Sequence, residues 1–190
     1  SDHGLNCGHH GIWGKGNGTL PLNMVEESIR VPLIFNRPGR LYGGQRRREF
    51  VDHLDLFQTL AAYAAVDMPQ SPDVNYPGHS YLNLLDNSAA VSDWRGEQYG
   101  EYGPLRMIRT DRYKLLLRNP VGQHELFDLQ TDPREIVNLY KEPQYETLIE
   151  QLTAKIEGYF GRYEDPIKRG LNAQQLPRHN FTEAWRSEAL

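Results

Sequence analysis

Apolar residues recur at helical spacing in two stretches of the chain and crowd into short β-forming runs in four others. From 52 to 66, Leu56, Leu60 and Tyr63 or Ala64 fall on one face with Phe57 and Ala61 beside them, which predicts an amphipathic helix capped by Asp52 or Asp55. From 143 to 164, Leu148, Leu152, Ile156, Tyr159 and Tyr163 follow at spacings of four, four, three and four, and Pro143 opens that second helix. Val31-Pro32-Leu33-Ile34-Phe35 predicts a short buried strand, with Pro32 at its start or on an edge and Pro38-Gly39 as the turn that ends it. Leu105–Arg109 and Tyr113–Leu117 flank Thr110-Asp111-Arg112, the pattern of an antiparallel hairpin, and Glu125–Leu129 is a candidate third strand. Thr131-Asp132-Pro133 makes a turn, with Glu135 placed for a following cap. The stripe of the second helix is expected to pack on this small sheet.

The remaining segments are loops. Residues 1–24 are glycine-rich and leave room only for a short helix, and 67–100 are broken by Pro69, Pro72, Pro77 and Gly78 around one apolar packing segment, Tyr81–Leu85. The pattern predicts a first part at 1–70, a loop-rich connection at 71–103, an antiparallel subdomain with its helix at 104–164 and a polar tail at 165–190. The tail holds one possible short helix at Thr182–Leu190. Arg40, Arg46, Arg47 and Arg48 form a basic cluster that suits an anion but is better accounted for as a solvated loop. His53 and Asp55 fit capping and surface roles better than catalysis.

Composition narrows the function classes. The 190 residues carry a formal charge of −4 with a pI near 6.0, so no nucleic-acid partner is expected. Eleven Tyr, six Phe and three Trp argue against a disordered chain, while a mean hydropathy of −0.68 implies much exposed loop. The single Cys7 excludes an internal disulfide. No apolar run approaches the roughly 20 residues of a membrane span. The chain opens on Ser1-Asp2 without Met or leader, and is expected to be a piece of something longer.

The densest chemistry lies at the start: Ser1-Asp2-His3-Gly4, Cys7-Gly8-His9-His10-Gly11 and Trp13-Gly14-Lys15-Gly16. Asp and His both ligate metals, and Lys is a compact charge for sulfate or phosphate. Gly4 permits the sharp turn that would let Asp2 and His3 share one cation; the residues alone leave open that Asp2 is a cap and His3 an ordinary loop residue. His9 and His10 add little by themselves, and neither HExxH nor paired CxxC occurs. Asn17-Gly18-Thr19 matches a glycosylation acceptor, with a plain turn as the favoured reading.

Taken in order, these pieces resemble the type I sulfatases of the alkaline-phosphatase-like superfamily. The resemblance runs through Ser-Asp-His-Gly, Gly-x-His-Gly-x-Trp-Gly-Lys-Gly and Glu27-Ser28-Ile29-Arg30-Val31-Pro32-Leu33-Ile34. It continues through Val51–Leu60, Arg109–Leu115, Glu125–Leu129, Asp132–Glu135 and Asn138-Leu139, covering most of residues 1–140. It implies an α/β fold: the C-terminal part of an alkaline-phosphatase-like parallel-sheet domain, with a small antiparallel sheet subdomain packed by an α-helix. It also implies that Asp2 and His3 are ligands of an active-site Ca²⁺, His3 less surely than Asp2 because calcium prefers oxygen. Lys15 is implied as the catalytic, sulfate-contacting lysine, and His10 as a substrate contact.

The family nucleophile is a formylglycine made from Cys or Ser in a C/S-x-P/A-x-R motif. Cys7 is followed by Gly8-His9-His10-Gly11, so it is not that residue, and no serine here fits. The resemblance therefore implies a sulfate-ester hydrolase whose nucleophile lies upstream of this chain, inactive without that part. Its partners would be a sulfated small molecule or glycan and the N-terminal half of the same enzyme, present either in a longer chain or as a partner chain. Alone, the first part of the chain is expected to expose apolar surface. A periplasmic, secreted or lysosomal setting is the family expectation. The alternatives are a phosphoesterase or phosphonate hydrolase of the same superfamily, and a non-catalytic sulfatase-like module binding a partner or a sulfated glycan through the arginine cluster.

Overall fold

The computed structural model describes residues 1–15, 19, 21–41, 43–70, 75–85, 93–119, 122–173 and 176. Gly16, Asn17, Gly18, Pro72 and the possible helix at Thr182–Leu190 lie outside the described residues. The chain forms two compact units, one of residues 1–32 with 99–190 and one of residues 33–98.

The first unit is built on an antiparallel sheet of β1 (Glu97–Tyr102), β2 (Leu105–Thr110), β3 (Tyr113–Arg118) and β4 (Glu125–Asp128), in the order β1-β2-β3-β4. Its hairpin and third strand match the sequence pattern closely. Ile108 pairs with Leu115 and Leu115 with Leu126, so three fully buried residues form one cross-strand row. That row is covered by α4 (Glu146–Tyr163), whose Leu152, Ile156 and Phe160 are buried against it. Leu148 and Tyr159 flank this contact, and Tyr159 stacks on Tyr99 at 4.0 Å. Burial of each such Leu, Ile or Phe contributes about 1.5–3 kcal/mol.

The opposite face of the sheet is covered as well. Leu105, Met107, Leu116 and Phe127 pack around Met24, with Leu22 and Ile29 at the edge. A sheet buried on both faces loses the alternation of apolar and polar residues, and β2 is accordingly buried at four successive positions. The segment that lies on this face carries the short helix α1 (Glu26–Ile29). β1 was not predicted; its sequence Glu-Gln-Tyr-Gly-Glu-Tyr has no apolar run, and every position is only half-buried.

The second unit holds α2 (His53–Tyr63) and α3 (Leu82–Leu85). Asp52 caps α2 as expected: its side chain accepts the Leu54 N–H, and Asp55 reaches back to the Asp52 N–H in a capping box. The packed face of α2 is the reverse of the one predicted. Its buried residues are Asp55 and Thr59, whereas Phe57 and Leu60 are 52% and 54% exposed. Asp55 is held by Arg95 and by the His79 N–H at 2.7 Å; Thr59 Oγ1 accepts the Tyr81 N–H at 3.1 Å. Gly78 allows this approach, since a Cβ there would lie 2.0 Å from Leu54 O. Arg95 also reaches Asp52, yet burial, with the Asp55 charge adding to it, keeps the Asp52 carboxyl above its ordinary value.

Val31–Phe35 forms no strand, and Ile34 is 84% exposed. A strand needs a hydrogen-bonding neighbour, and among the described residues no strand pairs with it.

Candidate active site

Residues 6–14 fold back on themselves. The Asn6 N–H donates to Gly14 O and the Gly8 N–H to Ile12 O, both at 2.9 Å, around a 3₁₀ turn at His9–Gly11. The turn is tight because Cys7, Gly8, His10 and Gly11 all adopt left-handed backbone, with φ of 48°, 92°, 55° and 68°. Only the glycines do so without cost. Closure at Asn6 and Gly14 returns Lys15 towards the residues that precede Asn6.

Asp2 and His3 adjoin there, and Lys15 follows the closure at Gly14. His3 Nε2 lies 3.5 Å from Asp2 Oδ2, and the Asp2 side chain is open to solvent. The Asp2 carboxyl is held below its ordinary value, first by its own backbone N–H and then by the His3 ring, with a smaller pull from Lys15. His3 Nδ1 lies 2.9 Å from Gly4 O, which can only accept, so Nδ1 carries the proton. A carboxylate oxygen and an imidazole nitrogen 3.5 Å apart can share either a proton or a divalent cation, so this donor pair is compatible with a metal ion.

Gly4 ties the segment to α1. Its N–H donates to Ser28 O at 2.8 Å, and a Cβ on Gly4 would lie 1.9 Å from Glu27 O. Beneath this contact runs a buried polar ladder. Ser28 Oγ lies 2.8 Å from Asn23 Oδ1 and 3.2 Å from Asn6 Oδ1, and Asn23 Nδ2 donates to Thr19 Oγ1 at 2.8 Å.

His10 faces Glu27: its Nε2 lies 3.5 Å from Glu27 Oε2. With Glu27, Arg134, Glu135 and Ile136 it lines a cavity of about 470 Å³. Atoms of His10, Glu27 and Glu135 lie within 4.8 Å of one another. The Lys114 ammonium, 2.7 Å from Glu135 Oε1, already supplies positive charge at that cluster.

Glu135 does not cap a downstream segment, the role its sequence position suggests. Its Oε2 accepts the Glu26 N–H at 2.6 Å, so it caps α1. Lys114 Nζ donates to Met24 O at 3.0 Å and lies 2.8 Å from Glu26 Oε1. Burial raises the Glu135 carboxyl above its ordinary value. Burial would raise Glu26 too, but the Lys114 charge and the Arg109 hydrogen bond outweigh it and hold Glu26 low.

A family model, N-sulphoglucosamine sulphohydrolase, C-terminal, matches residues 8–160. The chain belongs to the type I sulfatase family, as a C-terminal portion. An arylsulfatase of Clostridium perfringens is 31% identical over 174 residues, 84% of this chain and 34% of that protein. A Δ4,5-hexuronate-2-O-sulfatase of Bacteroides thetaiotaomicron is 29% identical over 201 residues, 98% of this chain and 39% of that protein. A structure solved with its substrate D-glucosamine-2-N,6-O-disulfate matches with a TM-score of 0.74 and 27% identity over 91% of this chain and 35% of that one. A phosphonate monoester hydrolase of Agrobacterium radiobacter, 22% identical, matches with a TM-score of 0.71 over 87% of this chain and 35% of that one, a likeness of fold alone.

This sulfatase chain thus spans about a third of the length of such relatives. The fold is the C-terminal part of an alkaline-phosphatase-like sulfatase, ending in the small antiparallel sheet and its helices. No helix among the described residues is long and apolar enough to cross a membrane. The residues that sequence reasoning missed, Asn6, Asn23, Lys114 and Glu135, are buried polar groups, and all but Asn23 have partners more than 20 residues away. Their one sequence signal is polarity inside otherwise apolar or turn-forming segments.

Proposed function

We propose that the whole protein hydrolyses sulfate esters, with Asp2 and His3 as ligands of a Ca²⁺ ion and Lys15 as the lysine that contacts the sulfate. The observation that supports this is the Asp2–His3 pair just before a loop that the Asn6–Gly14 hydrogen bond closes, with Lys15 one residue past that closure. A bound calcium would neutralise sulfate charge and polarise the S–O bonds. Lys15 adds a compact positive charge that stabilises the leaving oxygen as the S–O bond breaks. Calcium takes six to eight ligands, so its other ligands and the formylglycine nucleophile belong to the upstream part of the enzyme. That upstream part also covers the exposed apolar face of α2. This chain by itself is inactive.

The substrate class is a sulfated small molecule or glycan. Relatives named for hexuronate 2-O-sulfate and N-acetylglucosamine 6-O-sulfate favour a sulfated sugar. His10 contacts the substrate from the wall of the cavity it lines.

The test is turnover of an aryl sulfate by the full-length protein. Lys15→Ala should lower kcat/KM by about 10²–10³-fold, the range for one preorganised electrostatic contact. Activity within two-fold of wild type would reject the assignment of Lys15. Faster turnover of an aryl phosphonate monoester than of the sulfate would move the reaction to phosphorus chemistry on the same fold.

A further inference from the structure

We infer that Glu135, acting with Lys114, is a positioning residue for the Asp2-His3 segment, held in place from the small antiparallel sheet through α1. The inference rests on the metal-ligand role proposed for Asp2 and His3.

Glu135 sits in a costly state. Its side chain is fully buried, and its backbone φ of 54° is left-handed, which few residues other than glycine adopt readily. The turn that carries it is itself tied down, since Asp132 Oδ2 accepts the N–H groups of Ile136 and Val137 at 2.7 and 2.8 Å. Such a state persists where the surroundings over-determine it.

What Glu135 fixes is the start of α1, 109 residues earlier in the chain. Its two oxygens take the Glu26 N–H and the Lys114 ammonium. Lys114 in turn donates to Met24 O and pairs with the Glu26 carboxylate, and Arg109 holds that carboxylate from β2. Residues 24–26 are therefore gripped from β2, β3 and the loop after β4. Apolar side chains of similar volume would hold two surfaces together at least as strongly as buried ions. Ions and hydrogen bonds differ in fixing direction and register.

The register is passed on without slack. α1 meets the opening segment backbone to backbone, through the Gly4 N–H on Ser28 O and a contact that leaves no room for a side chain. His3 Nδ1 rests on the Gly4 carbonyl, and Asp2 adjoins the same ring. A shift of α1 by a few tenths of an ångström must move Gly4, and with it the two ligands.

The experiment uses the full-length protein and its Glu135→Gln, Glu135→Ala and Asp2→Ala variants. It measures the calcium dissociation constant, hydrogen exchange of the peptide covering residues 1–6, and Tm. Glu135→Ala should weaken calcium binding several-fold, short of the about 10–100-fold that follows loss of a direct hydrogen-bond partner of a metal ligand, and speed exchange at residues 1–6. Glu135→Gln keeps an acceptor for the Glu26 N–H and should restore most of both; if Glu135→Ala does not fold, its smaller shift in the same direction carries the test. A lowered Tm with wild-type calcium affinity and wild-type exchange at residues 1–6 would make Glu135 merely structural and overturn the inference. Asp2→Ala separates the two claims. If it leaves calcium affinity unchanged, the metal assignment fails, and exchange at residues 1–6 alone then decides for or against the role of Glu135.

Discussion

The two compact units differ in how their main helices are packed. In the first, the sheet is sealed on both faces, by Leu152, Ile156 and Phe160 of α4 on one side and by Met24 on the other. In the second, the buried side chains of α2 make polar contacts: Asp55 with Arg95, and Thr59 with the Tyr81 N–H. The apolar residues of α2 meanwhile face outward. The difference separates a self-sufficient core from a unit whose apolar face still needs a cover. In the proposed whole enzyme the upstream part is that cover. The opening loop, with Asp2, His3 and Lys15, belongs to the sealed unit, so half of the proposed site is built on the rigid side of the comparison.

The sharpest challenge to that contrast is Lys114→Ala, which leaves Glu26 and Glu135 as buried carboxylates without their ammonium. Breaking a buried pair costs about 3–5 kcal/mol, and urea unfolding should show that loss. Leu126→Ala, in the fully buried row, should cost about 2–5 kcal/mol in the same assay. Asp52→Ala should cost about 1 kcal/mol through the α2 cap. Leu60→Ser on the open face of α2 should cost within about 0.5 kcal/mol in this chain. If Leu60→Ser instead matches Leu126→Ala, the α2 face is not open and the comparison fails.

The smallest effect is on pH dependence. The hydrogen bond from Arg112 holds the Asp128 carboxyl below its ordinary value. Because the folded-state value is lowered, the stabilisation is complete above the ordinary aspartate value of about 4 and is lost as pH falls through the depressed one. Asp128→Asn should flatten the acid limb of a stability–pH curve. An unchanged limb would remove Asp128 as its source.

Much of the sealed unit was legible because its elements are set by neighbours in sequence. The Leu148–Tyr163 stripe and the Thr110-Asp111-Arg112 turn each declare themselves within one element. A cap on α2 from Asp52 or Asp55 was legible for the same reason. The face of α2 was not, because apolar periodicity indicates which side seeks burial, whereas here Asp55 and Thr59 are satisfied by polar groups 20 to 40 residues on. Val31–Phe35 carries strand chemistry, but among the described residues no strand pairs with it. Asp2, His3 and Lys15 stood out by residue type, but their roles came from family resemblance. Lys114 and Glu135 were invisible as part of the site: one reads as the polar residue of a strand, the other as a turn residue. Their meaning lies in contacts that span up to 109 residues.

The most direct test of the account is a calcium titration of the full-length protein beside its Asp2→Ala variant, with aryl sulfate turnover followed in the same samples. The account predicts that Asp2→Ala loses both calcium binding and turnover. Calcium affinity and turnover equal to wild type would contradict it.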